Sequence, residues 1–283
     1  MDGYGWGFSG GQQVRVNVTG ADTWSSADFA TRLVYAAGSH PGRVRTVNED
    51  SSLVAPPVFL VADGMGGYAR GDVASRLVAE SFEPLAARDV QPIDVEAAIG
   101  AAQRSVDALA AEFTSAPGST LVAATYVLED GRGYWLLANI GDSRAYCFTE
   151  GVLDQISKDH SVIQEMIDAG EITEEEALAH PDRHVVTRAI GALTTSEADF
   201  SLVPAVPGSR LLLCSDGLTS ELSDIAIFHI LSEEMSPEQT VATLIDAAVA
   251  AGGHDNVTVV VVDVVHGPEL PDEDTRPKAG GQA

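Results

Sequence analysis

The sequence predicts an α+β fold on three observations. Several of its strand-like runs follow one another at hairpin spacing with no helix between them, its helical stretches come in pairs, and the run 257–265 is apolar on both faces. A doubly wound parallel sheet would instead alternate strand with helix along the chain. A run apolar on both faces has to be buried on both, in a sheet stacked on another sheet or covered by helices.

Taken in order, residues 1–33 read as a glycine-rich, partly flexible extension. Gly3, Gly5, Gly7, Gly10 and Gly11 alternate with Tyr4, Trp6 and Phe8, and Val14, Val16 and Val18 then alternate with polar residues as one strand would. The main domain is 34–265. It opens with a strand at 58–62 and a helix pair at 69–85 and 93–114. Strands at 120–128 and 134–140 follow, joined by the turn Glu129-Asp130-Gly131, and then strands at 144–148 and 152–156. A second helix pair, 161–169 and 173–179, is divided by Gly170 as a C-cap, and Thr173 with Glu176 forms a capping box. After a strand at 211–214, Val241, Leu244, Ile245, Ala248 and Val249 mark one helical face. Ser236, Pro237 and Gln239 supply its N-cap, first-turn proline and capping-box partner. Residues 266–283 collect Pro268, Pro271 and Pro277 among charges with no apolar period. Such a segment cannot offset its ordering entropy and reads as a disordered tail.

Sixteen Lys and Arg stand against 42 Asp and Glu, a formal net charge of −26, which argues against nucleic acid or an anionic membrane as partner. At roughly 150 residues per domain, the 283 residues make one or two domains, and 45% hydrophobic content allows one large core. No apolar run approaches the ~20 residues a bilayer span needs. The first eleven residues have neither the basic start nor the apolar centre of a secretion signal. The expectation is a cytoplasmic monomer. Cys147 and Cys214 lie within or beside apolar runs and read as reduced, buried thiols. Cysteine-based phosphate chemistry would need an arginine six residues on, where Leu153 and Ser220 stand.

Three apolar runs end in aspartate: Phe59-Leu60-Val61-Ala62 in Asp63-Gly64, Leu137-Ala138-Asn139-Ile140 through Gly141 in Asp142, and Leu211-Leu212-Leu213-Cys214 through Ser215 in Asp216-Gly217. Asp255 begins the last apolar run. A carboxylate where a rigid strand stops is placed to the accuracy that metal ligation needs. Oxygen donors without matching histidine or cysteine suit Mg²⁺ or Mn²⁺ rather than zinc. For any one pair, turn chemistry alone explains Asp-Gly after a strand. Four converging carboxylates would raise one another's pKa unless cations neutralised them. Spacing does not reveal whether they converge. Upstream, Arg43 and Arg45 sit beside Glu49 and Asp50. An arginine can fork two hydrogen bonds onto a phosphate, and local salt bridges within a loop account for the same residues. The histidines show no ligand spacing, and His40, His180, His229 and His266 read as structural or surface residues.

At this point the motifs resemble the metal-dependent protein serine/threonine phosphatases of the PP2C (PPM) type, in their bacterial form. The matching pieces run in order over about 34–265. They are Gly42-Arg43-Val44-Arg45-Thr46-Val47-Asn48-Glu49-Asp50, Ala62-Asp63-Gly64-Met65-Gly66-Gly67, Gly118-Ser119-Thr120, Asn139-Ile140-Gly141-Asp142-Ser143-Arg144, Lys158-Asp159-His160-Ser161, Thr187-Arg188-Ala189-Ile190-Gly191, Cys214-Ser215-Asp216-Gly217-Leu218 and Asp255-Asn256-Val257-Thr258. The resemblance implies a four-layer α-β-β-α sandwich of two antiparallel sheets flanked by helices. It implies that Asp63 bridges two Mn²⁺ or Mg²⁺ ions, that the Gly64 carbonyl completes the first, and that Asp216 and Asp255 complete the second. Glu49 and Asp50 look like the acidic pair reaching this cluster directly or through water, and Arg45 sits where the family holds the substrate phosphate. By the same resemblance, a water shared by two cations about 3.5–4 Å apart is activated to attack phosphorus in line.

Met65 departs from the histidine common in eukaryotic members and fits the bacterial branch. Methionine cannot protonate the leaving alkoxide, so metal-bound water or another group must. Residues 157–191 match a mobile flap beside the site. Asp142 resembles a ligand to a third cation shared with Asp216, with the rival reading that it turns the chain and pairs with Arg144. The implied activity is hydrolysis of phosphoserine and phosphothreonine in proteins, opposing a bacterial kinase that is itself among the implied partners. The alternatives are a dedicated phosphatase for a partner-switching protein and a non-catalytic binding module. The Lys158 and Thr187 motifs favour the general form over the first, and retention of Asp63, Asp216, Asp255 and Arg45 speaks against the second.

Overall fold

A computed structural model describes residues 19–26, 31–66, 70–111, 113, 116–177, 180–191 and 196–267. Its elements are β1 (Thr19–Ser26), β2 (Thr31–His40), β3 (Asp50–Ala55), β4 (Val58–Met65), α1 (Gly71–Phe82), α2 (Pro92–Ala110), β5 (Gly118–Ser119), β6 (Leu121–Glu129), β7 (Arg132–Ile140), β8 (Arg144–Thr149), β9 (Val152–Gln155), α3 (Val162–Asp168), α4 (Glu174–Ala177), β10 (Ile190–Gly191), β11 (Asp199–Pro204), β12 (Arg210–Cys214), α5 (Asp216–Thr219), α6 (Asp224–Leu231), α7 (Pro237–Ala251) and β13 (Val257–His266). One sheet runs β1-β2-β13-β12-β8-β9. The other runs β10-β5-β4-β6-β7-β11 with β3 on β4, and the pairings are antiparallel.

Strand alternation sorts the apolar residues into three layers of core. Phe59, Val61, Val122, Trp135 and Leu137 of one sheet meet Leu33, Leu211, Leu213, Val260 and Val262 of the other. On the far face of the second sheet, Leu60, Leu121 and Ile140 pack under Val78 and Phe82 of α1 and Val95 and Val106 of α2. On the far face of the first, Leu212, Val259 and Val261 pack under Ile227 of α6 and Leu244 and Ile245 of α7. Residues 257–262 of the run 257–265 are thus covered on both faces, by the opposite sheet and by α7, whereas Val265 at its end is exposed. Each such valine or leucine, once removed from water, contributes about 1.5–3 kcal/mol. The chain is therefore an α+β sandwich of two sheets between helical layers.

Local signals behave as their chemistry dictates. Ser236 accepts from the Gln239 amide while the Gln239 side chain caps Ser236, and Thr173 and Glu176 close the same box at α4. Gly170 ends its turn at φ +69°, with its amide donating to the Ile167 carbonyl. The helix expected over 93–114 stops at Ala110, and the one over 69–85 is α1 followed by a 3₁₀ turn, Glu83–Leu85. Hairpin spacing misleads at one point: β7 and β8 are joined by three residues yet belong to different sheets, so Gly141-Asp142-Ser143 is a crossing between layers. β1 and the start of β2 lie within the stretch 1–33. The strand read from Val14, Val16 and Val18 and most of the C-terminal tail lie outside the described residues.

Candidate metal centre

The aspartate-bearing strand ends meet at one end of the sandwich. β3 pairs with β4 so that Asp50 faces Asp63 across the ladder. β12 leads through Ser215 into Asp216 at the start of α5, and β13 begins just after Asp255. Thr120 fixes the Asp63 backbone from both sides, its amide donating to the Asp63 carbonyl (2.9 Å) and its Oγ1 accepting from the Asp63 amide (2.9 Å). The same Oγ1 lies 2.7 Å from Ser143 Oγ, which ties the Asp142 turn to β4. Gly141 takes φ +107° there, and a Cβ would stand 2.6 Å from Thr120 Cγ2.

The electrostatics are those of crowded carboxylates. Burial, then the charges of Asp50, Asp216, Asp142 and Asp255, push Asp63 well above the usual carboxylate range. Burial raises Asp216 too, and the charge of Asp255 adds to the shift. Asp50 is pushed up to about 7 chiefly by burial, although Ser215 Oγ donates to its Oδ2 at 2.8 Å. Asp142, buried and flanked by Asp216 and Asp159, is likewise pushed up to about 7.

Asp255 is half exposed. Its Oδ1 accepts from the Asn256 amide and its Oδ2 pairs with Arg45 Nη2 at 2.6 Å. Glu49 sits at the rim with its carboxylate toward the Gly71 amide at the start of α1, raised mainly by burial. The loop carrying Arg45 is stapled by Asn256, whose Nδ2 donates to the Pro41 and Val47 carbonyls and whose Oδ1 accepts from the Glu49 amide. Gly42, at φ +78°, lets that loop approach the Asp255 carbonyl, where a Cβ would stand at 2.2 Å.

These residues fit hard divalent cations. The donors are oxygens, like charges are packed against one another, and Asp50 Oδ1 is buried with no hydrogen-bond partner. Among the described residues, however, no three His, Cys, Asp or Glu side chains are already closed around a point. The Arg45 guanidinium pairs with Asp255 at the edge of the cluster. Asp142 does not pair with Arg144, contrary to one of the two readings. Arg144 gives its fork to Asp159 (2.8–3.0 Å) and also donates to the Tyr146 hydroxyl. Sequence reading missed His184, half exposed, with Nδ1 4.0 Å from Asp216 Oδ2. No spacing signal could have found it, because it arrives from the returning arm of the 157–191 segment. That arm is held by the Ser161–Val186 bridge and by the Thr187 amide on the His160 carbonyl.

The chain is similar to characterised proteins along most of its length. Residues 42–249 match the family model described as Protein phosphatase 2C. The chain is 43% identical over 244 residues to the serine/threonine protein phosphatase PstP of Mycobacterium tuberculosis, an alignment covering 82% of this chain and 45% of that protein. Thus the chain spans about half the length of that curated relative. It is 34% identical over 243 residues to the serine/threonine phosphatase stp of Listeria monocytogenes, covering 78% of this chain and 92% of that one. The crystal structure of M. tuberculosis PstP/Ppp superposes with a TM-score of 0.77 at 37% identity, over 83% of this chain and 99% of that one. A structure of the PstP catalytic domain in complex with two manganese ions gives a TM-score of 0.75 at 37% identity, with the same coverage.

Proposed function

Because the chain belongs to the protein phosphatase 2C family, we propose that it hydrolyses phosphoserine and phosphothreonine esters of proteins, using Mn²⁺ or Mg²⁺ held by the Asp63 cluster. The observation that carries this reading is the crowding of Asp50, Asp63, Asp142 and Asp216, all with raised pKa, beside the exposed guanidinium of Arg45. Asp63, Asp216, Asp255 and the Gly64 carbonyl would hold the two core cations, with Glu49 and Asp50 contributing directly or through water, and Asp142 with Asp216 would hold a third. When bound, such cations neutralise the carboxylates, lower the pKa of the attacking water and screen the phosphate from a protein of formal charge −26.

The chain's own residues do the rest. Arg45 turns from Asp255 to fork onto the phosphate, its loop kept in register by Asn256. Thr120 and Ser143 keep Asp63 and Asp142 at a fixed separation, so the ester is held in one orientation relative to both. His184 stands 4.0 Å from Asp216, and the segment that carries it limits which phosphoproteins fit. We take the catalytic unit to be 34–265 together with the strand pair that continues its sheet upstream, acting as a monomer in the cytoplasm against a cognate kinase. The test is phosphate release from a phosphoserine peptide by chelator-treated protein. Release that returns with Mn²⁺ and stays absent in Asp63→Asn is expected. Release independent of metal, or undiminished in Asp63→Asn, would overturn the reading.

A further inference from the structure

The motif Lys158-Asp159-His160-Ser161 plays no part in the chemistry proposed for the metal centre, yet it is laced to the crossing between β7 and β8 on which Asp142 stands. Asn139 Nδ2 donates to the Lys158 carbonyl at 2.7 Å, and Arg144 forks onto Asp159 at 2.8–3.0 Å. Between these two ties, His160 and Gly141 clasp each other. The His160 amide donates to the Gly141 carbonyl (2.9 Å), and the Gly141 amide donates to His160 Nδ1 (3.1 Å). Both polar backbone groups of the glycine are thus taken by one residue.

Gly141 cannot yield toward the other side. At its φ of +107°, the place a Cβ would take lies 2.6 Å from Thr120 Cγ2, so its backbone is held between Thr120 and His160. The next residue is Asp142, whose buried carboxylate feels the charge of Asp216 more than that of any other residue. An aspartate side chain is short, and any shift of the Gly141 backbone carries that carboxylate with it.

The imidazole is buried and anchored from behind as well. A ring nitrogen that accepts carries no hydrogen, so the ring hydrogen sits on Nε2, which faces Asp199 Oδ2 at 3.1 Å. Asp199 is steadied in turn by Arg188, whose Nη1 donates to its Oδ1 at 2.9 Å. The His160 carbonyl accepts from the Thr187 amide at 2.8 Å. His160 therefore joins the crossing, β11 and both arms of the 157–191 segment at a point one residue from Asp142.

We propose that His160 is a positioning residue for the third cation: by holding Gly141 it sets where the Asp142 carboxylate stands relative to Asp216, and so how tightly that pair binds Mn²⁺. This rests on the reading of Asp142 as a ligand to that cation.

The test is a calorimetric Mn²⁺ titration of the full chain, in which the third site is the component that Asp142→Ala removes. The amide oxygen of asparagine stands where histidine Nδ1 does, whereas glutamine reaches the place of Nε2. His160→Asn therefore keeps an acceptor for the Gly141 amide, and His160→Gln does not. The third site should weaken by about tenfold or more in His160→Gln and stay within about threefold of the wild type in His160→Asn, with the two core sites unchanged in both. Asp199→Ala, on an exposed strand, frees the ring from behind without opening the core. It should weaken the same site, and it serves if His160→Gln does not fold. A third site unchanged in His160→Gln or, where that variant does not fold, in Asp199→Ala would overturn the positioning role, as would equal weakening by asparagine and glutamine. These results would leave the cation assignment intact. A wild-type isotherm in Asp142→Ala would overturn that assignment and the positioning role together.

Discussion

Asp50, the first residue of β3, stands opposite Asp63 of β4 across an antiparallel ladder. Two carboxylates from neighbouring strands thus sit side by side, in a cluster where each added charge raises the pKa of its neighbours.

The first prediction is that the metal-free protein loses stability as pH rises. Asp50 and Asp142 titrate near 7 when folded against 3.8 as free groups, and Asp63 and Asp216 are also raised. Between those values the folded chain binds more protons than the unfolded one. Stability present at low pH is therefore lost progressively as pH climbs from about 4 through about 7. Melting curves at about pH 5 and pH 8 should show the higher Tm at the lower pH, and Mn²⁺ should raise Tm most at the higher. A Tm that rose with pH in chelator would contradict this.

Arg45→Ala should lower kcat/KM by about tenfold or more while leaving metal affinity nearly unchanged, because the guanidinium acts on the phosphate. Lysine should restore only part, since a point charge lacks the planar fork. Steady-state kinetics of the three proteins decide. An effect within about twofold for alanine would move the role to another residue.

Asp142→Ala separates a ligand from a turn residue. Arg144 belongs to Asp159, so no local ion pair is lost, and removing one crowded carboxylate should leave the metal-free Tm unchanged or higher. A third-cation ligand predicts a lower kcat at fixed Mn²⁺. A fall in Tm with normal kcat would assign Asp142 to the turn alone.

Charge makes a further prediction about substrates. If the rim shares the formal −26, phosphopeptides flanked by Lys or Arg should associate faster than acidic ones, and the gap should close with salt. Stopped-flow rates at low ionic strength check it, and equal rates would remove it.

Much of the fold was legible because apolar periodicity and capping chemistry are local. The box Ser236–Gln239 and the doubly buried strand β13 are examples. What stayed hidden lacked a local signal. β2 passes through Ala36, Ala37 and Gly38, small residues buried between packed layers, so it shows no alternation. The edge strand β11 is largely exposed and takes its place by pairing with β7. In α6 the apolar stretch Ile225-Ala226-Ile227-Phe228 has no clear helical period. At the site, the aspartates could be read because strands end on them. Thr120, Ser143, Asn256 and His184 act through contacts between distant segments, which spacing does not encode.

The most direct test of the account is a calorimetric Mn²⁺ titration of the wild type and Asp63→Asn at neutral pH. The wild type should bind at least two ions, with release of protons from the crowded carboxyls, and the variant should lose both high-affinity sites while remaining folded. Two undiminished sites in Asp63→Asn would contradict the assignment of the cluster as the metal centre.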